Sequence, residues 1–363
     1  MRISAILVIG DTSTSKTGDC ELRDADRNTR SSMVCEDILG RSVIERTIAR
    51  LRDASVETIA LVVGSSTPVF SVKASRDVEI IRVEPSLDPW RAAQRTLRRH
   101  GVLGIETALV IDLSTYMEFN VKESVAFNRS KRSPLTQFYD SAGPLDSWIV
   151  DCKWFADADA TLPFREDEFP GLPVPFAIAG YVNRLVDFHH LRNLVVDALL
   201  ARCEMKPIGR EIRPGIWADE GARVHRTARL VAPVYLGRSA KVGRSAVISR
   251  FSHIERHTEV GDGTAVHSAS ILSNTVLGRE LDVSDAVVNG NKFFDLGRNV
   301  GFEVDERKLI RDSTRIKWPI PVECYSQPAL QLRVEDVIAF QYKNYISRAA
   351  GRLSGVFFKG VNL

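Results

Sequence analysis

A lysine behind a glycine and a run of hydroxyls, GDTSTSKT (10–17), is the first place in this 363-residue chain where spacing suggests chemistry. It has the outline of a phosphate-cradling loop, with Ser15 where the glycine before Lys16 would stand. Such a loop needs a helix directly after the lysine, so that the helix N-terminus faces the phosphate. The following TGDCELRDADRNTR has no helical apolar period, which predicts a surface loop. His225, His253, His257 and His267 form a second group of candidates. A positioned histidine can take a proton from an acceptor hydroxyl or amine. His189 and His190 are adjacent in a helical stretch, where neighbours point about 100° apart, so they read as helix surface rather than a metal pair. Five scattered cysteines without a CxxC pair argue against a disulfide framework or a zinc site, and fit a reducing compartment.

The four later histidines fall on a repeat. Val224, Leu230, Leu236, Val242, Ile248, Ile254, Val260, Val266 and Leu272 recur every six residues. Two residues before each stands a small or short-branched one, from Ala222 and Ala228 to Thr264 and Ser270. Gly237, Gly243 and Gly261 directly follow the aliphatic position. This pattern reads as a parallel β-helix of 18-residue, three-sided coils, with the aliphatic inside and the small residue at a tight corner. The histidines are offset from the inward register, which predicts solvent-facing coil positions. The repeat is expected to lose phase around Leu277–Val283 and to fade by Val304.

Upstream, strand-like and helix-like runs alternate. ISAILVIG (3–10), TIALVVG (58–64), VEIIRVE (78–84) and TALVID (107–112) are apolar runs expected to be strands buried on both faces. SVIERTIARLRDA (42–54), WRAAQRTLRRHG (90–101) and LVDFHHLRNLVVDALLARC (185–203) are expected helices. This alternation predicts a parallel sheet wrapped by helices. A tail, 334–360, reads as an amphipathic helix carrying Lys343, Arg348 and Arg352, which packs on protein or touches an anionic membrane. Hydrophobic content of 44%, charged content of 26% and a net charge of +3 describe a soluble globular protein and give no case for nucleic acid. No stretch approaches the roughly 20 apolar residues of a membrane span, and the start lacks a signal peptide's cleavage region, so a cytoplasmic location is expected.

Residues 38–64, ILGRSVIERTIARLRDASVETIALVVG, resemble a motif block of sugar-1-phosphate nucleotidylyltransferases, the NDP-sugar pyrophosphorylases. LVIDLSTYMEFNVKESVAFNRSK (109–131) resembles that family's metal-binding strand and the helix after it. GIWADEG (215–221) matches a further block through Asp219, and many members append a hexapeptide repeat. The resemblance implies a Rossmann-like, nucleotidyltransferase-type α/β domain with a parallel or mixed sheet (1–207). It also implies a left-handed hexapeptide β-helix (208–311), followed by a partly helical tail (312–363). It implies nucleotide binding at Gly10, Asp11 and Thr12, and magnesium at Asp112 and Asp219.

The family's reactive positions are altered here. Of its glycine-rich loop Gly10 remains; Ile9 and Thr12 replace the other glycines and Thr14 the arginine. Its lysine falls near Met33, and its metal-binding aspartate falls on Ser114, two residues past Asp112. Joining a sugar phosphate to a nucleoside triphosphate relies on magnesium and basic side chains to hold charge that develops on phosphoryl oxygens. Losing one such contact costs about 10²–10³-fold in rate. The expectation is therefore a catalytically lapsed binding or regulatory subunit of sugar-nucleotide and polysaccharide biosynthesis. It would bind a nucleotide or nucleotide-sugar and form a homo-oligomer, or a hetero-oligomer with an active pyrophosphorylase. One alternative is an active, magnesium-dependent enzyme using Asp112 and Asp219. Another is a coenzyme-A-dependent hexapeptide acyltransferase with His253, His257 or His267 as base.

Overall fold

The computed structural model describes residues 2–9, 33–64, 77–84, 87–158, 160–164 and 173–313. The apolar runs are strands of one seven-stranded sheet: β1 Ile3–Val8, β2 Thr58–Gly64, β3 Val78–Val83, β4 Thr107–Asp112, β5 Leu135–Asp140, β6 Gly143–Asp151 and β7 Val174–Ala177. The order across the sheet is β7, β5, β6, β4, β1, β2, β3. β6 runs antiparallel to both neighbours; the other pairings are parallel. Apolar side chains cover both faces, so β1, β2 and β4 have buried residues along nearly their whole lengths. Helix α1 (Val43–Asp53) starts with a capping box between Ser42 and Glu45, and α2 (Pro89–Val102) with Asp88 as cap and Pro89 behind it. α3 is Val121–Ser130 and α4 Cys152–Asp157. The expected helix 185–203 is shorter, α5 Phe188–Leu199, because Asp187 caps its start and Ala201 turns to φ +54 after its end. β1 lies between β2 and β4, so the connections run one way from β1 and then return to its other side. The chain thus changes direction at the β1/β4 pair.

From Ile216 the chain lays down two- to four-residue strands on three sheets in rotation, each paired parallel to the strand one coil later. Trp217 pairs with Tyr235, Val224 with Val242 and Ile248 with Val266, a step of 18 residues consistent with a parallel β-helix. Leu236, Val242, Ile248, Ile254, Val260 and Val266 are buried together. Hydroxyls in the small register also bond the next coil: Thr258 donates to Leu272 O at 3.0 Å and Thr264 to Gly278 O at 2.7 Å. The phase slips earlier than the spacing predicts. Ile254 pairs with Ile271, and Leu272 leaves the inward register. The corner between His267 and Ser270 is one residue short, so every later pairing steps by 17. Antiparallel strands Lys292–Asp295, Val300–Glu303 and Ile310–Asp312 close the far end. Residues 1–313 form one compact unit, and the expected tail helix lies outside the described residues. Among the described residues no helix is long and apolar enough to cross a membrane.

Candidate functional site

In an open α/β sheet, ligands sit outside the carboxyl ends of the strands where the strand order reverses. Here that point lies beyond Val8 of β1 and Asp112 of β4, which are direct ladder partners. Asp112 is 2% exposed. Its backbone N–H reaches Ser147 Oγ at 3.2 Å. Its carboxylate accepts the Ser114 N–H at 3.0 Å and the Ser114 hydroxyl at 2.6 Å. Ser114, where the resemblance calls for a metal-binding aspartate, thus turns back and bonds both oxygens of the carboxylate that remains. Magnesium takes a near-octahedral oxygen shell, usually one or two carboxylates with waters and substrate phosphates. These two bonds from Ser114 fix the orientation of the Asp112 carboxylate, whose oxygens keep further lone pairs.

The other expected positions fall on different elements or outside the described residues. Gly10, Asp11 and Thr12 lie outside the described residues. Met33, at the position of the family's lysine, is buried in the core of the α/β domain. Asp219 stands on the first corner of the coiled region, its backbone N–H bonded to Leu236 O and its carboxylate accepting the Glu220 N–H. Among the described residues no group of three or more His, Cys, Asp and Glu side chains could hold a metal ion.

The histidines also separate. His257 is exposed, as the register predicts. His267 is half-buried and shares a 2.5 Å hydrogen bond with Ser249 through Nδ1. His253 is not solvent-facing but fully buried, and neither ring nitrogen has a hydrogen-bond partner. Burial and the nearby Arg192 guanidinium hold it neutral. The offset from the inward register pointed it correctly away from the prism, yet that outer face is covered by the α/β domain.

That covered face carries a set of buried polar bonds between the coil and the α/β domain. Glu255 accepts the Leu39 N–H at 2.6 Å and the Gly40 N–H at 3.1 Å. Arg256 donates to Asp37 at 2.8 Å, and the Ser273 hydroxyl at 3.0 Å. Asn289 donates to Glu36 at 3.0 Å. Arg192 of α5 donates to the carbonyls of Phe251 and Arg250 at 2.6 and 3.0 Å. Tyr235 of the coil is buried in the core of the α/β domain. Burial first, and then Asp37, push the Glu255 carboxyl up to about 8, although the two backbone donors and Arg46 pull it down. Burial raises Glu36 to about 7. Sequence reasoning missed this seam. The signal was an outward column, Trp217, Tyr235 and His253, repeating at the coil's own 18-residue step.

No family model matches the chain, and no curated protein matches it by sequence. Among solved structures, it is similar to HddC from Yersinia pseudotuberculosis complexed with GMP-PN, at 15% identity and a TM-score of 0.36. A second structure of HddC from that organism gives 16% identity and a TM-score of 0.38. Each match covers 53% of this chain and 97% of the other. Likenesses of this extent do not bear on activity.

Proposed function

We propose that this chain is a nucleotidyltransferase-like protein of sugar-nucleotide and polysaccharide biosynthesis. In this reading the α/β domain binds a nucleotide or nucleotide-sugar without turning it over. Residues 208–311 act as a left-handed hexapeptide β-helix that joins the protein, in the cytoplasm, to copies of itself or to an active pyrophosphorylase. The resemblance of 38–64 and 109–131 gains support from where those blocks fall. The first runs from the Asp37–Ser42 hairpin through α1 to β2, and the second runs from β4 to α3. Both flank the reversal of strand order, where a nucleotide would lie.

One observation supports the lapsed reading: Ser114, bonded to Asp112 through its hydroxyl, stands where the resemblance places a second carboxylate. Met33, near the position of the family's lysine, is buried in the core, and a triphosphate reaction relies on cationic side chains to hold its developing charge.

The test is a thermal-melt screen of the full chain with GDP-mannose and UDP-glucose, paired with a pyrophosphate-release assay using nucleoside triphosphates, sugar 1-phosphates and magnesium. Stabilisation without turnover is expected. Turnover abolished by Asp112→Ala would establish a working catalyst instead.

A further inference from the structure

Among the described residues the coiled region is finished at one end and open at the other. The far end is closed by three antiparallel strands. At the near end, Arg210–Arg213 covers only the first strand, Ile216–Ala218. Among the described residues the next two strands, Arg223–Val224 and Arg229–Leu230, pair on one side alone. The N–H groups of Arg223, His225, Arg229 and Val231 are all given to the following coil. Because successive residues of a strand direct their polar groups to opposite edges, Val224 and Leu230 present both N–H and C=O outward.

The side chains at this end match that unfinished ladder. Val224 is 38% exposed, while Val242 and Val260, its equivalents one and two coils on, are 4% and 3% exposed. Val231 and Ile212 add further exposed aliphatic surface, at 39% and 43%. Arg213, Arg223, Arg226 and Arg229 are all exposed around it. None of the four has a carboxylate within ion-pair distance among the described residues. Elsewhere on the surface arginines do, as in Arg2–Glu57, Arg99–Glu79 and Arg202–Asp197. One coil further on, Lys241, which ladders directly onto Arg223, meets Glu259.

We infer that the first coil, at Arg223–Val224 and Arg229–Leu230, is a strand-addition site for an extended acidic segment of a partner protein. The segment would place aliphatic residues over Val224 and Leu230 and carboxylates against Arg223 and Arg229. Backbone pairing would supply affinity, and the arginines would select the sign of charge. A second copy docked edge to edge would set these arginines against each other, and like charges directly opposite are destabilising. Nucleic acid would meet the arginines but leave the apolar edge and its N–H groups unpaired. This inference rests on reading the chain as an associating subunit.

The probe is a fluorescein-labelled 12-residue peptide of alternating Glu and Val, titrated by anisotropy into the full-length chain without nucleotide, with hydrogen exchange read at Val224 and Leu230. Saturable binding with protection of both amides is expected. The charge-reversed pair Arg223→Glu/Arg229→Glu should weaken it about tenfold, or about 1.4 kcal/mol. The backbone of both strands is untouched by these exposed changes, and an unaltered melting temperature would confirm folding. Four results would overturn the site. These are absence of saturable binding, equal binding of a Lys–Val peptide, competition by a 12-mer oligonucleotide, and both amides already protected in a dimer of the chain. None of these bears on the nucleotide crevice, so a failure here leaves that reading to its own melt screen.

Discussion

The Glu255 carboxylate receives the backbone N–H of Leu39 at 2.6 Å, across 216 residues of sequence. Leu39 and Gly40 both adopt positive φ, +53° and +91°, which turns their two N–H groups toward one acceptor. Gly40, the glycine of the family-like motif ILGR, thus helps hold the coil. Removing the acceptor strands two donors in a buried seam, at about 1–3 kcal/mol each. Glu255→Ala is expected to lower unfolding stability by roughly 3 kcal/mol in a urea melt. A loss under about 0.5 kcal/mol would show that the seam is not held this way.

Gly40 tests the same contact from the other side. A Cβ there would collide with the Tyr235 hydroxyl and come within 2.8 Å of Ile208 Cβ, on a backbone that side chains rarely adopt. Tyr235 sits in the core and cannot retreat. Gly40→Ala should therefore cost at least about 3 kcal/mol. Gly104, at φ +74 with open space around it, should tolerate alanine at about 1 kcal/mol. Equal effects at the two positions would remove the argument from close approach.

The seam also sets a pH dependence. Glu255 and Glu36 titrate near 8 and 7 when folded, against 4.5 when unfolded, so across that interval the folded chain binds more protons. Stability therefore falls as pH rises through it. His253, held well below 6.5, acts oppositely, because below that pH the unfolded chain takes up a proton that the folded chain refuses. The two trends compete below pH 6.5, and only the carboxylate trend remains above it. Melting temperature is expected to decline from pH 6.5 to pH 8, with Glu255→Gln flattening that decline. An unchanged slope in the variant would assign the effect elsewhere.

His253 separates a catalytic histidine from a structural one. Its two ring nitrogens are buried without hydrogen-bond partners, a cost that an apolar residue of similar shape removes. His253→Leu should leave stability unchanged or raise it by about 1 kcal/mol, and His257→Ala on the exposed corner should stay within about 0.5 kcal/mol. Loss of an acetyl-transfer activity in the His253 variant would contradict a purely structural role.

Much of this was legible along the chain. The strand runs 58–64 and 107–112 and the Ser42-capped helix fall where the apolar patterns place them, because strands buried on both faces and capped amphipathic helices are local properties. The six-residue period likewise gave the inward residues through Val266. It failed at Leu272 because one missing corner residue moves Ile271 inward, and both residues are aliphatic. Periodicity cannot choose between two adjacent aliphatics when the spacing itself has changed.

The sequence alone determined that two architectures follow one another, and that Ser114 and Met33 stand at or near positions where the family resemblance would place charged groups. Each of these is a matter of residue type and interval. Only the tertiary structure decided which outer face of the coil is buried, that Glu255 meets Leu39 and Gly40, and that Ser114 turns its hydroxyl onto Asp112. The seam joins groups more than 200 residues apart, and no local pattern encodes which surface a folded neighbour will cover. Burial then reverses the ordinary behaviour of Glu255 and His253, since charge is costly wherever water has been excluded.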